Sequence, residues 1–222
     1  MTGGPDMDRF ADAREEMVSR QLEGRGLQDQ RVLAAMRTVP RHLFVSKKLA
    51  NHAYRDMPLT IGHYQSISQP YMVALMCELL ELSATDTVLE VGTGSGYAAA
   101  VLSELCDHVV TVERISELAK KARDLLGVLG CSTVEVHCID GTIGFPNRAP
   151  YDAILVSAGA PAVPEVLKHQ LKSGGRLVIP VGNSRMSQDL LRIRRISEHK
   201  FETKNHGGVS FVPLVGEDGW SD

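Results

Sequence analysis

The sequence lacks the features that mark three broad classes of protein. Its 24 lysine and arginine residues are outnumbered by 27 aspartate and glutamate residues, and no basic run occurs, which argues against a nucleic-acid surface. The first residues are acidic and polar, unlike a secretory signal peptide, and no apolar stretch is long enough to span a bilayer. We therefore expect a cytoplasmic protein that binds neither nucleic acid nor membrane.

Cysteine is scarce and dispersed. The four cysteines are Cys77, Cys106, Cys131 and Cys138, and no CxxC pair or tight Cys/His spacing suggests a zinc site. We expect reduced, mostly buried thiols and no bound metal. The sequence also lacks internal repeats and low-complexity segments.

Alternating strand and helix patterns follow residue 86. The short apolar runs are TVLEVG, HVVTVE, TVEVHCID, YDAILVSA and GGRLVIPVG, and most are separated by helical stretches. This alternation predicts βαβ units and a parallel sheet covered on both faces. The later runs DLLRIRRIS, KFETKNH and VSFVPLV have no helix between them and predict an antiparallel edge. The expected fold class is α/β, with a doubly wound, mostly parallel Rossmann-like sheet.

The first 80 or so residues predict a helical extension. Residues 8–24 have helical periodicity, and DQRVLAAMRTVP predicts a second helix that ends before Pro40. The pattern from Arg41 to Thr60 is irregular. Pro70 begins a third helix at its first turn, with Ser68 as the candidate N-cap, and this helix is expected to end near Leu82.

A glycine-rich loop follows the first predicted strand of the sheet. The stretch VLEVGTGSGYAAAV places Gly92, Gly94 and Gly96 between a strand and a helix. Glycines there allow a sharp turn and a close approach of a ligand, and ligands of such sheets lie at the carboxyl ends of the strands. Glu113 ends the next strand, 21 residues after Gly92. An acid at that distance can accept hydrogen bonds from both ribose hydroxyls.

The loop suits either a dinucleotide or S-adenosylmethionine. Its spacing is GxGxG, and Tyr97 stands where the third glycine of the dinucleotide fingerprint would fall. Glu90 precedes the loop by two residues, where an acid suits the cationic amino group of a methionine moiety better than a pyrophosphate. Charge complementarity therefore favours S-adenosylmethionine. A tight turn with no ligand is the remaining interpretation of the glycines.

The third predicted strand ends in Asp140-Gly141. A carboxylate at this edge of the sheet can accept a hydrogen bond from an adenine amino group, and Gly141 leaves room for the ring. The alternative is that this Asp-Gly pair forms only a turn.

One further segment gives the sequence a family resemblance. The stretch QSISQPYM, followed by VLEVGTGSGY, VERI, IDGTIGFPNRAPYDAILVSAGAP, LKSGGRLVIPVG and VSFVPLV, resembles the protein-L-isoaspartate O-methyltransferase family over roughly residues 10–216. The glycine loop is shared by many methyltransferases, whereas QSISQP and SFVPLV are specific to this family. The resemblance implies methyl transfer from S-adenosyl-L-methionine to the free α-carboxylate of L-isoaspartyl residues in damaged peptides and proteins. That ester starts their repair to aspartyl residues.

The resemblance also implies roles for the residues of QSISQPYM. Gln65, Ser66 and Ile67 would close over the cofactor, and the Ser66 hydroxyl replaces the threonine that is usual in the family. Ser68 would donate a hydrogen bond to the substrate carboxylate and orient it. A carboxylate with a pKa of about 4 is ionised at neutral pH and needs no general base. The absence of an evident Ser–His–Asp arrangement agrees with this chemistry.

We therefore expect one methyltransferase domain, and several alternatives remain open. Residues 1–82 would form the helical extension and lid, residues 83–222 the cofactor-binding core, and the protein would act as a monomer. The segment VSFVPLV is expected to form a sheet strand, and the alternative is that it also offers an edge to the substrate backbone. Another S-adenosylmethionine-dependent enzyme, acting on RNA or a small molecule, is the first alternative, but no [DN]-P-P-[YF] motif occurs. A non-catalytic nucleotide-binding protein and a nicotinamide oxidoreductase are the others.

Overall fold

The computed structural model describes residues 9–221, which begin with a helical segment and a β-hairpin. The elements are helix α1 (Ala11–Glu16), a π-helical segment (Met17–Leu22), a 3₁₀ turn (Glu23–Arg25), helix α2 (Gln30–Thr38), 3₁₀ turns (Arg41–Phe44 and Ala50–His52), strands β1 (Leu59–Gly62) and β2 (Gln65–Ile67), and helix α3 (Pro70–Leu80). The three predicted helices are confirmed in place, although the acidic residues 1–8 lie outside the described range. The sequence did not predict the hairpin.

Helix α3 begins at Pro70, because proline fixes φ for a first helical turn and lacks only an N–H that would have no helical partner there. The predicted N-cap was wrong. Gln69 occupies that position, and no side chain caps the helix. The side chain of Ser68 is therefore not used by α3.

The rest of the chain forms one seven-stranded sheet with helices on it. The elements are β3 (Thr87–Val91), α4 (Tyr97–Ser103), β4 (His108–Glu113), α5 (Ser116–Val128), β5 (Val134–Cys138), 3₁₀ turns (Gly141–Ile143 and Pro146–Arg148), β6 (Tyr151–Val156), α6 (Glu165–His169), β7 (Leu171–Ser184), β8 (Ser187–Arg195) and β9 (Phe201–Val209). The strand order is β5-β4-β3-β6-β7-β8-β9. Strands β3 to β7 are parallel, and β8 and β9 add an antiparallel edge, as predicted.

The strand order reverses direction between β3 and β6. The chain runs outward from β3 through β4 to β5, then returns to pair β6 with the other side of β3. The crevice outside the carboxyl ends of these two strands is where open α/β sheets bind ligands. The glycine loop leaves β3 at this point, and Ser157 leaves β6 beside it, with its N–H donating to the Val91 carbonyl at 2.8 Å.

The two faces of the sheet are separate apolar layers. Leu89 and Val91 belong to the core on one face, whereas Val88 belongs to the larger core, which also contains the buried residues of the N-terminal segment. Since side chains alternate along a strand, Glu90 faces the same side as Val88. Within residues 9–221, no helix is both long and apolar enough to cross a bilayer.

The prediction of a strand over VSFVPLV was wrong. Strand β9 ends at Val209, and the residues after it make separate hydrogen bonds and isolated bridges instead of a continuous ladder. The Phe211 N–H donates to the side-chain oxygen of buried Gln188 at 2.9 Å. Gly159 donates to the Val212 carbonyl and accepts from the Leu214 N–H, both at 2.8 Å. These bonds hold residues 211–214 over the strand ends, where they become a wall of the site.

Candidate active site

A cavity opens at the strand reversal point. It measures about 940 Å³ when counted to its open mouth. Its wall is made by the hairpin and the start of α3, by the glycine loop, by the ends of β3, β4 and β6, and by the segment after β9. Residues that line it include Gln65, Ser66, Ile67, Ser68, Glu90, Gly92, Gly94, Glu113, Gly141, Ser157, Ala158, Val212 and Leu214.

All but two of the predicted site residues line this cavity. The exceptions are Gly96 and Asp140. Gly96 starts α4 with a φ of 89°, and a Cβ there would lie 3.3 Å from the Cβ of Ala122 on α5. Glycine at this position lets α4 pack closely on α5, while its predicted contact with a cofactor remains a prediction.

Glu90 is a buried acid at the floor of the cavity. It is 0% exposed, and its Oε2 accepts a hydrogen bond of 2.6 Å from the hydroxyl of Thr111, its direct neighbour on β4. The other oxygen, Oε1, is buried without a hydrogen-bond partner. Burial raises the pKa of Glu90 to about 8, and the charge of nearby Glu113 acts in the same direction. A cationic ligand would supply the missing partner.

Glu113 holds the glycine loop in place. Its Oε2 accepts from the Gly94 N–H at 2.9 Å, and its Oε1 accepts from the Ile115 N–H at 3.0 Å. The side chain is 6% exposed and lines the cavity. Each carboxylate oxygen has further acceptor capacity, so Glu113 can receive hydroxyl donors as well.

Asp140 has protein partners for both of its oxygens. Oδ1 accepts from the Thr142 N–H at 2.8 Å and from the Thr142 hydroxyl at 2.7 Å, and Oδ2 accepts from the Glu217 N–H at 2.9 Å. Although partial burial opposes it, the hydrogen bonds from Glu217 and Thr142 keep the pKa of Asp140 below its ordinary value. In the structure Asp140 ties the C-terminal segment to the turn after β5, and its predicted adenine contact remains a prediction.

Gly141 is packed against the strand ends. A Cβ at this position would lie 2.7 Å from Cγ1 of Val91. Because that distance is shorter than real Cβ contacts, a side chain here would displace the end of β3 or push the backbone into the cavity. The position therefore favours glycine because of its packing against the strands, while the room that it leaves for an adenine ring remains a prediction.

The segment Gln65–Ser68 separates two cavities. Ser66 and Ser68 line the large cavity and also a smaller one of about 330 Å³, whose other walls include Pro58, Met72 and residues 210–212. The segment is held by strand pairing, in which β2 runs antiparallel to β1 and Ser66 pairs with Thr60. A ligand bound in the small cavity would therefore contact a ligand bound in the large cavity beside Ser66 and Ser68.

Sequence reasoning missed several residues of the site. Ser157 and Ala158 follow β6, and the rule that ligands lie at strand ends would have identified them. Arg41 carried no signal, because it lies in the stretch with an irregular pattern. It is 0% exposed, and its Nη2 donates to the Ser68 carbonyl at 2.7 Å while its Nε donates to the Ala53 carbonyl at 2.7 Å.

Comparisons with known proteins assign this arrangement to a family. Residues 12–219 match the family model described as protein-L-isoaspartate(D-aspartate) O-methyltransferase. The chain is 58% identical over 207 residues to protein-L-isoaspartate O-methyltransferase 2 of Pelobacter propionicus, covering 93% of this chain and 92% of that protein. It is 55% identical over 204 residues to protein-L-isoaspartate O-methyltransferase of Rhodopseudomonas palustris, covering 92% and 94%.

Solved structures agree with the sequence relatives. A protein-L-isoaspartate O-methyltransferase superposes with a TM-score of 0.84 and 31% identity, covering 93% of this chain and 67% of that chain. A Plasmodium falciparum protein described as binding S-adenosyl-L-homocysteine superposes with a TM-score of 0.79 at 24% identity, which supports the fold. The family model and the relatives cover nearly all of the described residues, including both walls of the cavity, and this chain therefore belongs to the protein-L-isoaspartate(D-aspartate) O-methyltransferase family.

Proposed function

We propose that this protein methylates the free α-carboxylate of L-isoaspartyl residues in damaged peptides and proteins, with S-adenosyl-L-methionine as the methyl donor. The family match over residues 12–219 supports this activity. The observation that carries it is the shared wall of the two cavities, since Ser66 and Ser68 face both. A donor in the large cavity and a peptide carboxylate in the small one would meet there.

The residues of the large cavity fit the donor. The unpartnered, buried Oε1 of Glu90 suits a positively charged amino group, and Glu113 suits the ribose hydroxyls. Gly92 and Gly94 allow close approach of the ligand to the loop, and Gly141 keeps the end of β3 clear of side-chain atoms. When bound, S-adenosyl-L-methionine supplies a methyl group carried on a positively charged sulfur.

The protein orients the reacting groups and shields them from water. Ser68 donates its hydroxyl hydrogen bond to the substrate carboxylate and orients it, which its side chain is free to do because it does not cap α3. Gln65, Ser66 and Ile67 line the large cavity and would shield a bound donor from water. No general base is required, because the carboxylate is already ionised at neutral pH. The segment after β9 closes the opposite wall.

We also propose the setting in which the protein works. Residues 1–82 act as extension and lid, and residues 83–222 act as the cofactor-binding core of one catalytic domain. The protein acts as a cytoplasmic monomer on peptide and protein substrates, without nucleic acid. Four free cysteines, of which Cys77 and Cys106 are buried, support a reducing compartment.

A labelled-methyl assay tests the proposed activity. Two synthetic peptides identical except for one isoaspartyl or aspartyl residue are incubated with the protein and methyl-labelled S-adenosyl-L-methionine. We expect base-labile methyl ester on the isoaspartyl peptide and none above background on its aspartyl twin. Equal labelling of the two peptides, or no labelling of either, contradicts the proposal.

A further inference from the structure

Arg41 is a fully buried cation directly behind the substrate-facing segment. It lies in the 3₁₀ turn Arg41–Phe44 and is the largest side chain with no exposed surface in the described chain. Two of its nitrogens donate to main-chain carbonyls, Nη2 to Ser68 and Nε to Ala53. The guanidinium carbon lies 4.8 Å from the centre of the Tyr97 ring.

The charge of Arg41 is not neutralised by a carboxylate. Among residues 9–221, Arg41 takes part in no salt bridge, and its Nη1 is buried without a hydrogen-bond partner. Asp56 contributes a weak electrostatic attraction, but its carboxylate is bonded to Arg25 at 2.5 Å and to the Tyr71 N–H at 3.0 Å. Burial lowers the pKa of Arg41, yet arginine keeps its proton in proteins.

An unpaired buried charge is costly unless an anion completes it. The guanidinium donates a hydrogen bond to the Ser68 carbonyl, and Ser68 is one of the residues that line both cavities. The two acids of the site, Glu90 on β3 and Glu113 at the end of β4, lie on the sheet beside the glycine loop. The site thus has acids beside the glycine loop for a cationic donor, where Arg114 also lines the large cavity, and it has Arg41 behind the segment that would hold an anionic acceptor.

We propose that Arg41 is a positioning residue that selects an ionised substrate: it fixes the Ser68 peptide and supplies the counter-charge for the isoaspartyl carboxylate. This inference rests on the proposed function and adds a source for its charge selectivity. Arg41 lines neither cavity and acts through Ser68 and through the low dielectric of its surroundings, where a charge is screened less than in water. A purely structural clamp would hold the segment but would not distinguish a charged ligand from a neutral one.

The test compares two peptides of nearly the same shape that differ in the charge of one group. One carries isoaspartate, and its twin carries isoasparagine, in which a carboxamide replaces the free carboxylate. Binding of each is measured by calorimetry to the full-length protein saturated with S-adenosyl-L-homocysteine, so that no turnover occurs. We expect the wild type to prefer the carboxylate by about tenfold or more, because an opposite charge in a partly desolvated site is screened less than in water.

Two variants separate charge from shape. Arg41→Gln keeps a donor but removes the charge, and we expect the preference to fall by about fivefold or more. Arg41→Lys keeps the charge, but an ammonium group cannot bond both carbonyls as a planar guanidinium does. We therefore expect both peptides to bind more weakly, while the ratio of their affinities stays within about twofold of the wild-type ratio. The matched control is Arg176→Lys, because Arg176 also donates to main-chain carbonyls, of Leu80 and Glu81, away from both cavities.

The possible outcomes are distinct. The inference is overturned if Arg41→Gln lowers the affinity for both peptides equally, or if the wild type binds both peptides equally well. Arg41 would then have a structural role only. If circular dichroism shows that Arg41→Gln does not fold, the affinity ratio of the two peptides is compared in the wild type and in Arg41→Lys. Loss of the preference for the carboxylate in Arg41→Lys also overturns the inference. Failure of the wild type to methylate or bind the isoaspartyl peptide would instead contradict the proposed function.

Discussion

Glu90 is a carboxyl group whose protonation is set by its surroundings. Its neighbours provide one hydrogen bond from Thr111, while its second oxygen is buried without a partner. With a pKa of about 8, the group is largely neutral at pH 7 before a ligand arrives. A cationic ligand favours the ionised form, so binding should release a proton.

The raised pKa predicts an unusual dependence of stability on pH. The folded state holds a proton on Glu90 up to a pKa of about 8, whereas the ordinary value of 4.5 applies to the unfolded chain. The contribution of this group to the free energy of unfolding is therefore intact below pH 4.5 and is lost as the pH rises through 8. We expect Glu90→Gln to match the wild type at pH 5 and to exceed it by roughly 2–4 kcal/mol at pH 8.5.

Urea denaturation of the two proteins without ligand, at pH 5 and pH 8.5, measures this difference. The same variant should bind S-adenosyl-L-methionine more weakly, because the amide gives no charge to its amino group. A stability difference that is the same at both pH values would show that Glu90 is ionised in the folded protein.

Ser68 and Ser66 offer a second prediction at the level of residues. We expect Ser68→Ala to lower turnover of an isoaspartyl peptide by about 10- to 100-fold, the range of a lost hydrogen bond to a charged group. The affinity for S-adenosyl-L-homocysteine, measured by calorimetry, should change little. The matched variant Ser66→Ala should affect cofactor affinity more than Ser68→Ala does. A collapse of cofactor affinity in Ser68→Ala would assign Ser68 to the cofactor site.

At the scale of elements, the hairpin β1–β2 has an unfavourable turn. Its two central residues, His63 and Tyr64, have φ values of 53° and 57°, as a type I′ turn requires, although neither is glycine or asparagine. Tyr64 is 102% exposed, so its side chain makes little contribution to packing. The turn thus carries backbone strain at the tip of the hairpin.

Replacing Tyr64 should relieve that strain. We expect Tyr64→Gly to raise the free energy of unfolding by about 0.5 kcal/mol, because the gain at positive φ exceeds the added entropy of the unfolded chain. Val128→Gly is the control, since Val128 is also highly exposed but ends α5 with ordinary helical geometry, and glycine there should be destabilising. Thermal unfolding of both variants measures the effect. A lower melting temperature for Tyr64→Gly would mean that the side chain makes contacts that matter.

The sequence predicted those elements whose pattern matches their surroundings. The central strands β3 and β6 are almost wholly buried because both faces of the sheet are covered there, whereas the edge strand β5 alternates apolar and polar residues. The glycines mark the turn that follows β3. The sequence did not predict the hairpin because its strands are only four and three residues long and its turn lacks glycine and asparagine at the two central positions. The segment VSFVPLV has the apolar composition of a strand, but Gln188, distant in sequence, takes the N–H of Phe211.

The same distinction applies to the candidate site. Glu90, Glu113 and the glycines were predictable because strand ends and loops fix their position locally. Arg41 was not predictable, since its importance depends on burial and on carbonyls 12 and 27 residues away. Only tertiary structure brings those carbonyls to one guanidinium. The sequence likewise gave no sign that Asp140 would meet the N–H of Glu217.

For the whole molecule, we predict a monomer. The exposed large apolar side chains of the described chain fall on separate elements: Met57, Tyr64, Val128, Ile143, Met186 and Ile196. Stable self-association generally requires a contiguous apolar patch. Sedimentation equilibrium at micromolar concentrations should give the mass of one 222-residue chain. A mass that doubles with concentration would contradict this prediction and would call for a search of the sheet edge at β9.

The wall shared by the two cavities has a consequence for the order of events in one catalytic cycle. Because Ser66 and Ser68 line both cavities, a peptide bound in the small cavity would contact the segment that lines the large one. The methyl donor should therefore bind first, and S-adenosyl-L-homocysteine should leave last. Stopped-flow displacement would then show slow exchange of S-adenosyl-L-homocysteine while the peptide is saturating, and faster exchange once the peptide has dissociated.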